Sequence, residues 1–486
     1  MRISRLLESI KGARLIPACE EVEIEELSID SAKKTKNGLY FCLTGGKLDG
    51  HQFAEKAVNN GAVAIVSERE LNISVPQIIV KDSRNALSYI SSAFYGHPSE
   101  RLKVIAVTGT NGKTTTAHML RSILETDGKK TGVIGTLGAE YNGKRISTGL
   151  TTPDPIELNA ILSDMLACGV EYVVMEVSAH ALYYQKTAGL RFYACIFTNL
   201  SQDHLDFFPS MAEYEQAKAE LFKDEICPIA VLNGDDLTGR NFGEIRTQKT
   251  LFYGLSTPTD AFAVVREEGL HGSKCMFNIN DTLCRVTLSM TGRHNIYNAL
   301  AAATCAQALG ISANSIASGL TAMKGVLGRL QFIAKINEAN IFVDFAHTPD
   351  GLKQSLSALS EHCKGRLICL FGCGGNRDKS KRAIMGETVA KYCDFAVLTS
   401  DNPRFEDPLD ILSQIEKGYR RYSSKYIIIP DRAIAIDYAL EVLMPNDILL
   451  VAGKGGEEYQ EIMGIKYPFS DNDIIEKLVL KKVRDE

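Results

Sequence analysis

The sequence predicts an α/β protein of three domains: a central domain built on a P-loop-type parallel sheet, a C-terminal α/β domain of the dinucleotide-fold kind, and a smaller α/β unit ahead of both. Three observations predict it. Short apolar runs alternate with helical stretches along the chain, which argues for parallel strands covered by helices. The run Val104-Ile105-Ala106-Val107-Thr108-Gly109-Thr110-Asn111-Gly112-Lys113-Thr114-Thr115-Thr116 passes from an apolar strand through a glycine-rich turn into a helix. Breaker clusters at Gly96-His97-Pro98-Ser99 and Lys324-Gly325-Val326-Leu327-Gly328-Arg329 interrupt the alternation, which then restarts.

These breaks place the domains at residues 1–98, 99–328 and 329–486. In the first, 39–43 and 63–66 read as strands around the polar loop Gly45-Gly46-Lys47-Leu48-Asp49-Gly50-His51, and a helix ends at Phe94-Tyr95. In the second, strands at 104–107, 132–134, 172–177, 194–198 and 229–232 alternate with helices. Residues 249–289 read as a β-rich meander, and 295–308 as a helix. In the third, strands fall at 341–344, 366–371, 395–399, 426–429 and 447–452. No G-x-G-x-x-G opens this last unit, so it is not read as a dinucleotide site.

Composition narrows the function classes. Net charge is −5, from 54 Lys and Arg against 59 Asp and Glu, so neither a nucleic-acid groove nor an anionic membrane surface is expected as partner. The N-terminus lacks the apolar core of a secretion signal, and no uncharged apolar run approaches the roughly 18 residues of a membrane span. Twelve scattered cysteines without a C-x-x-C pair fit reduced thiols in a cytoplasmic protein. A monomer is expected.

The residues with chemistry fall in loops after strands. Glycines at Gly109 and Gly112 let backbone N–H groups crowd phosphate oxygens, the helix start adds partial positive charge, and Lys113 adds a full one. The hydroxyl of Thr114 is placed to hold the Mg²⁺ that accompanies a nucleoside triphosphate. The loop is not the general G-x-x-x-x-G-K-[ST] form, because Val107 stands five positions before Gly112. Glu176 ends one strand and His204 follows another, and both can ligate a metal near a triphosphate. Read alone, Lys218 is a solvated residue of a helix over 211–222. In the last domain, the loops after three strands carry Arg377, Asp401-Asn402-Pro403-Arg404 and Gly453-Lys454-Gly455-Gly456-Glu457. Ligands bind at such strand ends, where guanidinium forks and a glutamate can hold a small zwitterion.

Taken together, Gly109 to Thr115, Glu176-Val177-Ser178-Ala179-His180, Thr198-Asn199-Leu200 with Asp203-His204, the stretch 292–298, and Asp344-Phe345-Ala346-His347-Thr348-Pro349-Asp350 resemble the Mur ligases, over essentially the whole chain. These are ATP-dependent amide-bond ligases of peptidoglycan precursor synthesis. Asp30-Ser31, Asp49-Gly50-His51, Thr151-Thr152-Pro153-Asp154 and the last-domain loops resemble the members that add meso-2,6-diaminopimelate to a UDP-muramoyl dipeptide. The resemblance implies ATP at Gly109, Thr110, Asn111, Gly112, Lys113, Thr114, Thr115, Asn298, Arg329 and Asp344. It implies Mg²⁺ on Thr114, Glu176, His204 and a carbamylated Lys218, with Lys113, Lys218, Glu176 and His204 as the catalytic set. The UDP-muramoyl dipeptide would lie on Ser31, His51, Thr151, Thr152, Ser178 and Lys186. The diamino acid would lie on Arg377, Asp401, Asn402, Arg404, Gly453 and Glu457, with Arg404 paired only when a distal carboxylate is bound.

Departures from the family pattern concern the acceptor. Ala32 follows Ser31 where an arginine is usual, and Tyr184 and Lys186 stand where a glutamine and an arginine are usual, with Gln185 one position off. Two other readings therefore stay open at this stage. One is a relative joining an amino acid to another carboxylate, as in secondary metabolism or folate-type ligation. The other is a regulatory ATPase without ligation.

Overall fold

The computed structural model describes residues 1–17, 22–45, 48–256, 259–279 and 281–485. Gly46 and Lys47 of the expected loop before His51 lie outside the described residues. The chain divides into two compact units, one of Met1–Thr108, Lys129–Cys195 and Ala217–Pro228, the other of Gly109–Gly128, Ile196–Gln216 and Ile229–Glu486.

In the first unit, strands Glu26–Ser28, Gly38–Phe41, Ala62–Ser67 and Gln77–Ile79 run parallel in that spatial order, and Arg14–Ile16 pairs antiparallel at the edge. Successive side chains point to opposite faces of a strand. Leu39, Phe41, Ala64 and Val66 thus meet Ala86, Leu87 and Ile90 of the helix Ser83–Phe94, while Tyr40 and Ile65 meet Ala54 and Ala57 on the other face. The same unit holds Tyr172–Glu176, parallel to Lys103–Thr108 on one side and Thr131–Gly135 on the other. Antiparallel strands Gly138–Tyr141 and Lys144–Ile146 extend that edge.

In the second unit, Ile229–Asn233 and Lys249–Gly254 are parallel, and Ala261–Gly269, Gly272–Ile279 and Thr282–Leu288 form the expected antiparallel meander. Helix Lys113–Thr126 packs on the helices Arg293–Ala308 and Ala313–Ala322. Close approach is possible because Gly319 has no side chain to meet the Ile123 backbone, and Ser122 Oγ donates to the Gly319 carbonyl at 2.7 Å.

The same unit carries a six-stranded sheet, ordered Gln331–Ile336, Ala339–Asp344, Ile448–Ala452, Leu367–Phe371, Phe395–Leu398, Tyr426–Ile428. All its pairs are parallel except the first. Its central strands Ile448–Ala452, Leu367–Phe371 and Phe395–Leu398 read as unbroken apolar runs because both faces are covered. Leu367, Cys369 and Phe371 pack toward Leu356, Met385 and Ile411, whereas Ile368 and Leu370 pack toward Ala435, Ile436 and Ile475. Helix starts follow local chemistry: Thr348 Oγ1 accepts from Gly351 N at 3.0 Å ahead of Pro349, and Asp407 accepts from Leu409 N at 2.8 Å ahead of Pro408. A two-stranded hairpin, Tyr459–Ile462 with Ile465–Pro468, is an element the strand pattern did not predict. No helix among the described residues is long and apolar enough to cross a membrane.

One buried ion pair ties the end of the chain to this sheet. Arg432 and Asp471 have side chains 0% exposed and meet through Nε–Oδ1 at 2.8 Å and Nη2–Oδ2 at 2.7 Å. Arg432 also donates to the Ala452 carbonyl at 2.9 Å. Removing one member of such a pair strands the other charge in the interior, at a cost of about 3–5 kcal/mol. Asp471→Ala is therefore expected to lower stability by about that much in urea denaturation; an unchanged midpoint contradicts it.

Candidate active site

The phosphate loop is held by the segment that follows the strand Ala194–Phe197. Thr198 Oγ1 donates to the Asn111 carbonyl at 2.6 Å, Asn199 Nδ2 donates to the same oxygen at 3.1 Å, and Asn199 Oδ1 accepts from Asn111 N at 3.0 Å. Thr110 N donates to the Asn199 carbonyl at 2.8 Å, and Thr110 Oγ1 accepts from Ser201 N at 3.0 Å. Gly112 caps the helix with φ +85, and a Cβ there would stand 2.3 Å from Asn298 Oδ1. Lys113 Nζ donates to the carbonyls of Gly109 and Thr110 at 3.0 and 2.8 Å. Thr114 and Thr115 are buried in the first helical turn, where backbone N–H groups lack intrahelical partners.

Distant residues of the same unit reach this loop. Arg329 Nη2 donates to Thr114 Oγ1 at 2.9 Å, with the guanidinium 4.3 Å from the Phe345 ring centre. Asn111 Nδ2 donates to Asp350 Oδ2 at 2.9 Å. Asp344 accepts from Leu330 N, from Ala346 N at 2.7 Å and from Ser355 Oγ at 3.1 Å. Burial lifts the Asp344 carboxyl above its ordinary value, against the pull of Arg329 and these N–H donors. A cavity of about 460 Å³ is lined by His271, Thr291, Lys324, Arg329, Phe332 and Phe342 among others, so Arg329 belongs to its wall and to the loop at once.

His204 sits with φ +56, its Nε2 3.4 Å from Asp203 Oδ2. Asp203 is buried, and Lys381 Nζ lies 3.8 Å from its Oδ1. Burial acts to raise the Asp203 carboxyl, but His204, His347 and Lys381 outweigh it and hold it low. Asp203, Lys381 and His347 had no place in the expected site, because nothing local in the sequence joins them.

In the other unit, Glu176 is 1% exposed and its two oxygens accept from Thr136 N at 2.9 Å and Thr136 Oγ1 at 3.1 Å. Thr136 Oγ1 also meets Thr151 Oγ1 at 3.2 Å. Thr152 Oγ1 donates to the Glu176 carbonyl at 3.0 Å and accepts from Ser178 N at 3.0 Å, so Thr151, Thr152, Glu176 and Ser178 come together. Lys186 pairs with Asp154 at 2.7 Å. Gln185 binds Asn85 and Asp82 at 2.7 and 2.8 Å through its side chain, which makes it a tie to the helix Ser83–Phe94. Ser31 and His51 are held separately. Asn60 Nδ2 donates to the Ser31 carbonyl at 2.8 Å. His51 Nδ1 meets Asp49 at 2.6 Å while Nε2 accepts from Glu68 N at 3.1 Å, so both ring nitrogens are used within the protein.

Lys218 corrects the local reading. It is 1% exposed, not solvated, within a helix that ends at Ala219 and continues as a single 3-10 turn Glu220–Phe222.

The last-domain loops converge. Asn402 Nδ2 donates to Glu457 Oε2 at 2.9 Å, and Lys454 Nζ donates to both Asn402 Oδ1 and Glu457 Oε2 at 3.0 Å. Gly453 has φ +114, and a Cβ there would stand 2.6 Å from Asp401 Oδ2. Burial works to raise Asp401, but Lys454 and Arg432 overcome it and keep the carboxyl below its ordinary value. Arg377 is exposed. Arg404 differs from expectation: it is paired without any ligand, through Nε to Glu461 Oε2 at 3.0 Å and Nη1 to the Gly375 carbonyl at 2.8 Å. The partner lies 57 positions away, on the unpredicted hairpin.

Fold and site together define an α/β enzyme with a glycine-rich loop pinned at the start of a helix and charged side chains gathered at the strand ends of its last sheet. The Mur ligase family, catalytic domain, matches residues 23–103; the Mur ligase middle domain matches 107–306; and the Mur ligase, glutamate ligase domain, matches 328–455. The chain belongs to the Mur ligase family, ATP-dependent enzymes that form amide bonds. It is 40% identical over 478 residues to the UDP-N-acetylmuramoyl-L-alanyl-D-glutamate–2,6-diaminopimelate ligase of Caldanaerobacter subterraneus, covering 98% of this chain and 99% of that one. The like-named protein of Syntrophomonas wolfei is 40% identical over 468 residues, covering 95% and 96%. A solved structure of a ligase of that name is 29% identical with a TM-score of 0.68, covering 99% and 100%. The MurF ligase from Thermotoga maritima in complex with ADP shares the fold at 21% identity, with a TM-score of 0.63 over 96% and 100% of the two chains.

The histidines of the nucleotide side set a pH dependence. Burial lowers His294 to about 4, and burial with Lys381 lowers His347 to about 4. Unfolded histidine binds its proton near 6.5. As pH falls, the unfolded chain takes up these protons first, so stability is full above about pH 6.5 and declines toward about pH 4. Each residue as a whole keeps some solvent exposure, which limits the loss to on the order of 1–3 kcal/mol per histidine. Urea midpoints between pH 7 and 4 should fall, and His294→Leu should flatten the fall; a flat wild-type profile contradicts the assignment.

Proposed function

We propose that this chain joins the amine of meso-2,6-diaminopimelate to the D-glutamate carboxylate of UDP-N-acetylmuramoyl-L-alanyl-D-glutamate, using ATP, in the cytoplasmic assembly of peptidoglycan precursors. The observation that carries it is the presence in one unit of the pinned phosphate loop, reached by Arg329 and Asp350, and of the Asn402–Lys454–Glu457 cluster and Arg404. We further read the chain as three domains, 1–98, 99–328 and 329–486, with the acceptor carried by the first and by Thr151, Thr152, Ser178 and Lys186.

A carboxylate is a poor acylating agent. Its oxygen attacks the γ-phosphorus of ATP, the bond to the bridging oxygen breaks, and an acyl phosphate and ADP result. The uncharged amine then attacks the acyl carbon, inorganic phosphate leaves, and the amine's proton passes to solvent. Lys113 and the N-terminal N–H groups of its helix counter the charge on the phosphates. Arg329, oriented through the Leu330–Asp344 contact, adds a positive charge beside Thr114. The adenosine end would occupy the cavity whose wall Arg329 shares. Asn402, Glu457 and Arg404 hold the diamino acid so that water does not replace it as nucleophile.

Mg²⁺ fits the donor chemistry. Glu176 and Thr114 offer hard oxygens, the donor type taken by an ion that keeps waters and phosphate oxygens as its other ligands. Thr114, Glu176, His204 and a carbamylated Lys218 would hold it, and it would neutralise charge on the transferred phosphoryl group. Burial of Lys218 agrees with a side chain that acts inside the site and not at the surface.

Two experiments test this reading. Lys218→Ala is expected to be nearly inactive and partly rescued by formate or acetate; full activity without rescue sinks the carbamate role. Turnover with each amine tests the substrate. Because Arg404 keeps Glu461 and Gly375 when the distal carboxylate is missing, lysine forfeits only about one charged hydrogen bond. The preference for diaminopimelate over lysine should then be about 10- to 100-fold in kcat/KM, and Arg404→Ala should remove most of it. Equal kcat/KM for the two amines, or no amide formed with this acceptor, defeats the proposal and favours another carboxylate acceptor.

A further inference from the structure

Arg404 is held in an unusual backbone conformation, φ +53, and the hairpin Tyr459–Pro468 holds it there. Arg404 N donates to the Glu461 carbonyl at 3.0 Å, and Met463 N donates to the Arg404 carbonyl at 2.7 Å. Glu461 N donates to Asn402 Oδ1 at 2.9 Å, and Gln460 Nε2 to the Asp401 carbonyl at 2.7 Å. The Glu461 carboxylate then takes Arg404 Nε at 3.0 Å. A single residue thus grips both Asn402 and Arg404, two of the side chains read as holding the diamino acid. Both members of the Arg404–Glu461 pair are about four-fifths buried, at 19% and 21% exposed, so solvent screening does not erase the contact.

The guanidinium is planar, and two fixed points define its orientation. Nε on Glu461 and Nη1 on the Gly375 carbonyl supply them. Among the described residues Nη2 has no partner, which leaves one edge of the fork open to an incoming carboxylate. The hairpin follows residue 455, where the match to the family's glutamate ligase domain ends.

We propose that Glu461 is a positioning residue that sets the selectivity of this site for an amine bearing a distal carboxylate. It does so by fixing the plane of Arg404; it does not itself touch the reacting atoms. The assignment rests on the reading of this site as the amine-binding site of a diaminopimelate-adding ligase.

The test is steady-state kinetics of the full chain with ATP, the UDP-muramoyl dipeptide and either meso-diaminopimelate or L-lysine, for the unsubstituted enzyme, Glu461→Ala and Glu461→Gln. Glutamine keeps an amide oxygen that can accept from Nε without the charge; alanine keeps neither. Glu461→Ala should raise KM for diaminopimelate about tenfold, the weight of one charged hydrogen bond, with kcat and both lysine constants within about twofold. Glu461→Gln should restore the diaminopimelate KM to within about threefold of the unsubstituted value. An unchanged KM in Glu461→Ala overturns the assignment, as does equal loss with both amines, which would mark a scaffold role alone. A Glu461→Gln variant as impaired as Glu461→Ala also overturns it, because charge and not orientation would then be at work. If the unsubstituted enzyme favours an amine without a distal carboxylate, this assignment and the reading beneath it both fail. If it favours diaminopimelate while Glu461→Ala behaves normally, only this assignment fails.

Discussion

At Gly109 the chain runs so close to the next strand's exit that a Cβ would stand 1.9 Å from Thr198 Oγ1 and 3.0 Å from Asn199 N. The backbone there has φ +147, a conformation that side chains oppose. This approach lets Thr198 and Asn199 bind the Asn111 carbonyl and Asn199 bind Thr110 N. With that carbonyl drawn into the protein, the first N–H groups of the helix Lys113–Thr126 remain as the donors a phosphate would meet. The geometry of the loop rests on this pinning. The helix that follows is anchored along its length by Arg293–Ala308 and Ala313–Ala322, so the loop is presented by a rigid element and not by a mobile turn.

The loop also gathers residues from far along the chain. Arg329 reaches Thr114 over 215 positions, and Asp350 reaches Asn111 over 239. Asp344 makes the first of these possible. It accepts from Leu330 N, whose residue has φ +43, and so fixes the turn that aims Arg329. A buried carboxylate with this many N–H and O–H donors orients its neighbours more than it binds anything itself. The polar residues around the loop therefore form one network, in which loss of a member leaves others buried without a partner.

The strands and the phosphate loop were legible because they leave local signals: apolar runs of strand length, glycines at a turn, a lysine and hydroxyl at a helix start. The observed strands Lys103–Thr108, Tyr172–Glu176 and Ile448–Ala452 lie within a residue or two of the expected ones. What was not legible is which polar groups meet across the fold. Nothing near Arg404 announces Glu461, and nothing near Lys218 announces that its helix turns that side chain inward. Gln185 looked like a misplaced ligand residue, yet its amide bridges Asp82 and Asn85. Nothing near His51 announces that its two ring nitrogens meet Asp49 and Glu68. The hairpin escaped notice because its exposed apolar residues Ile462, Met463, Ile465 and Tyr467 show no buried face to impose alternation.

The proposed amine end of the site is built from charges already balanced. Lys454 is fully buried and spans Asn402 and Glu457, Arg432 is buried on Asp471, and Arg382 is buried on Glu406 with both carboxylate oxygens engaged. A zwitterion that enters such a site does not meet a bare charge that must first be stripped of water. Glu457 uses Oε2 for both of its internal donors, which leaves Oε1 as the acceptor for an ammonium. Arg404 uses Nε and Nη1, which leaves Nη2 as the donor for a carboxylate. The groups are thus fixed before the ligand arrives, and the ordering cost falls on folding instead of on binding. The same arrangement limits how strongly the site can reject a shorter amine. A donor that keeps two partners when the third is missing suffers far less than one left with none, so fine discrimination must come from how well the open edge of Arg404 is aimed.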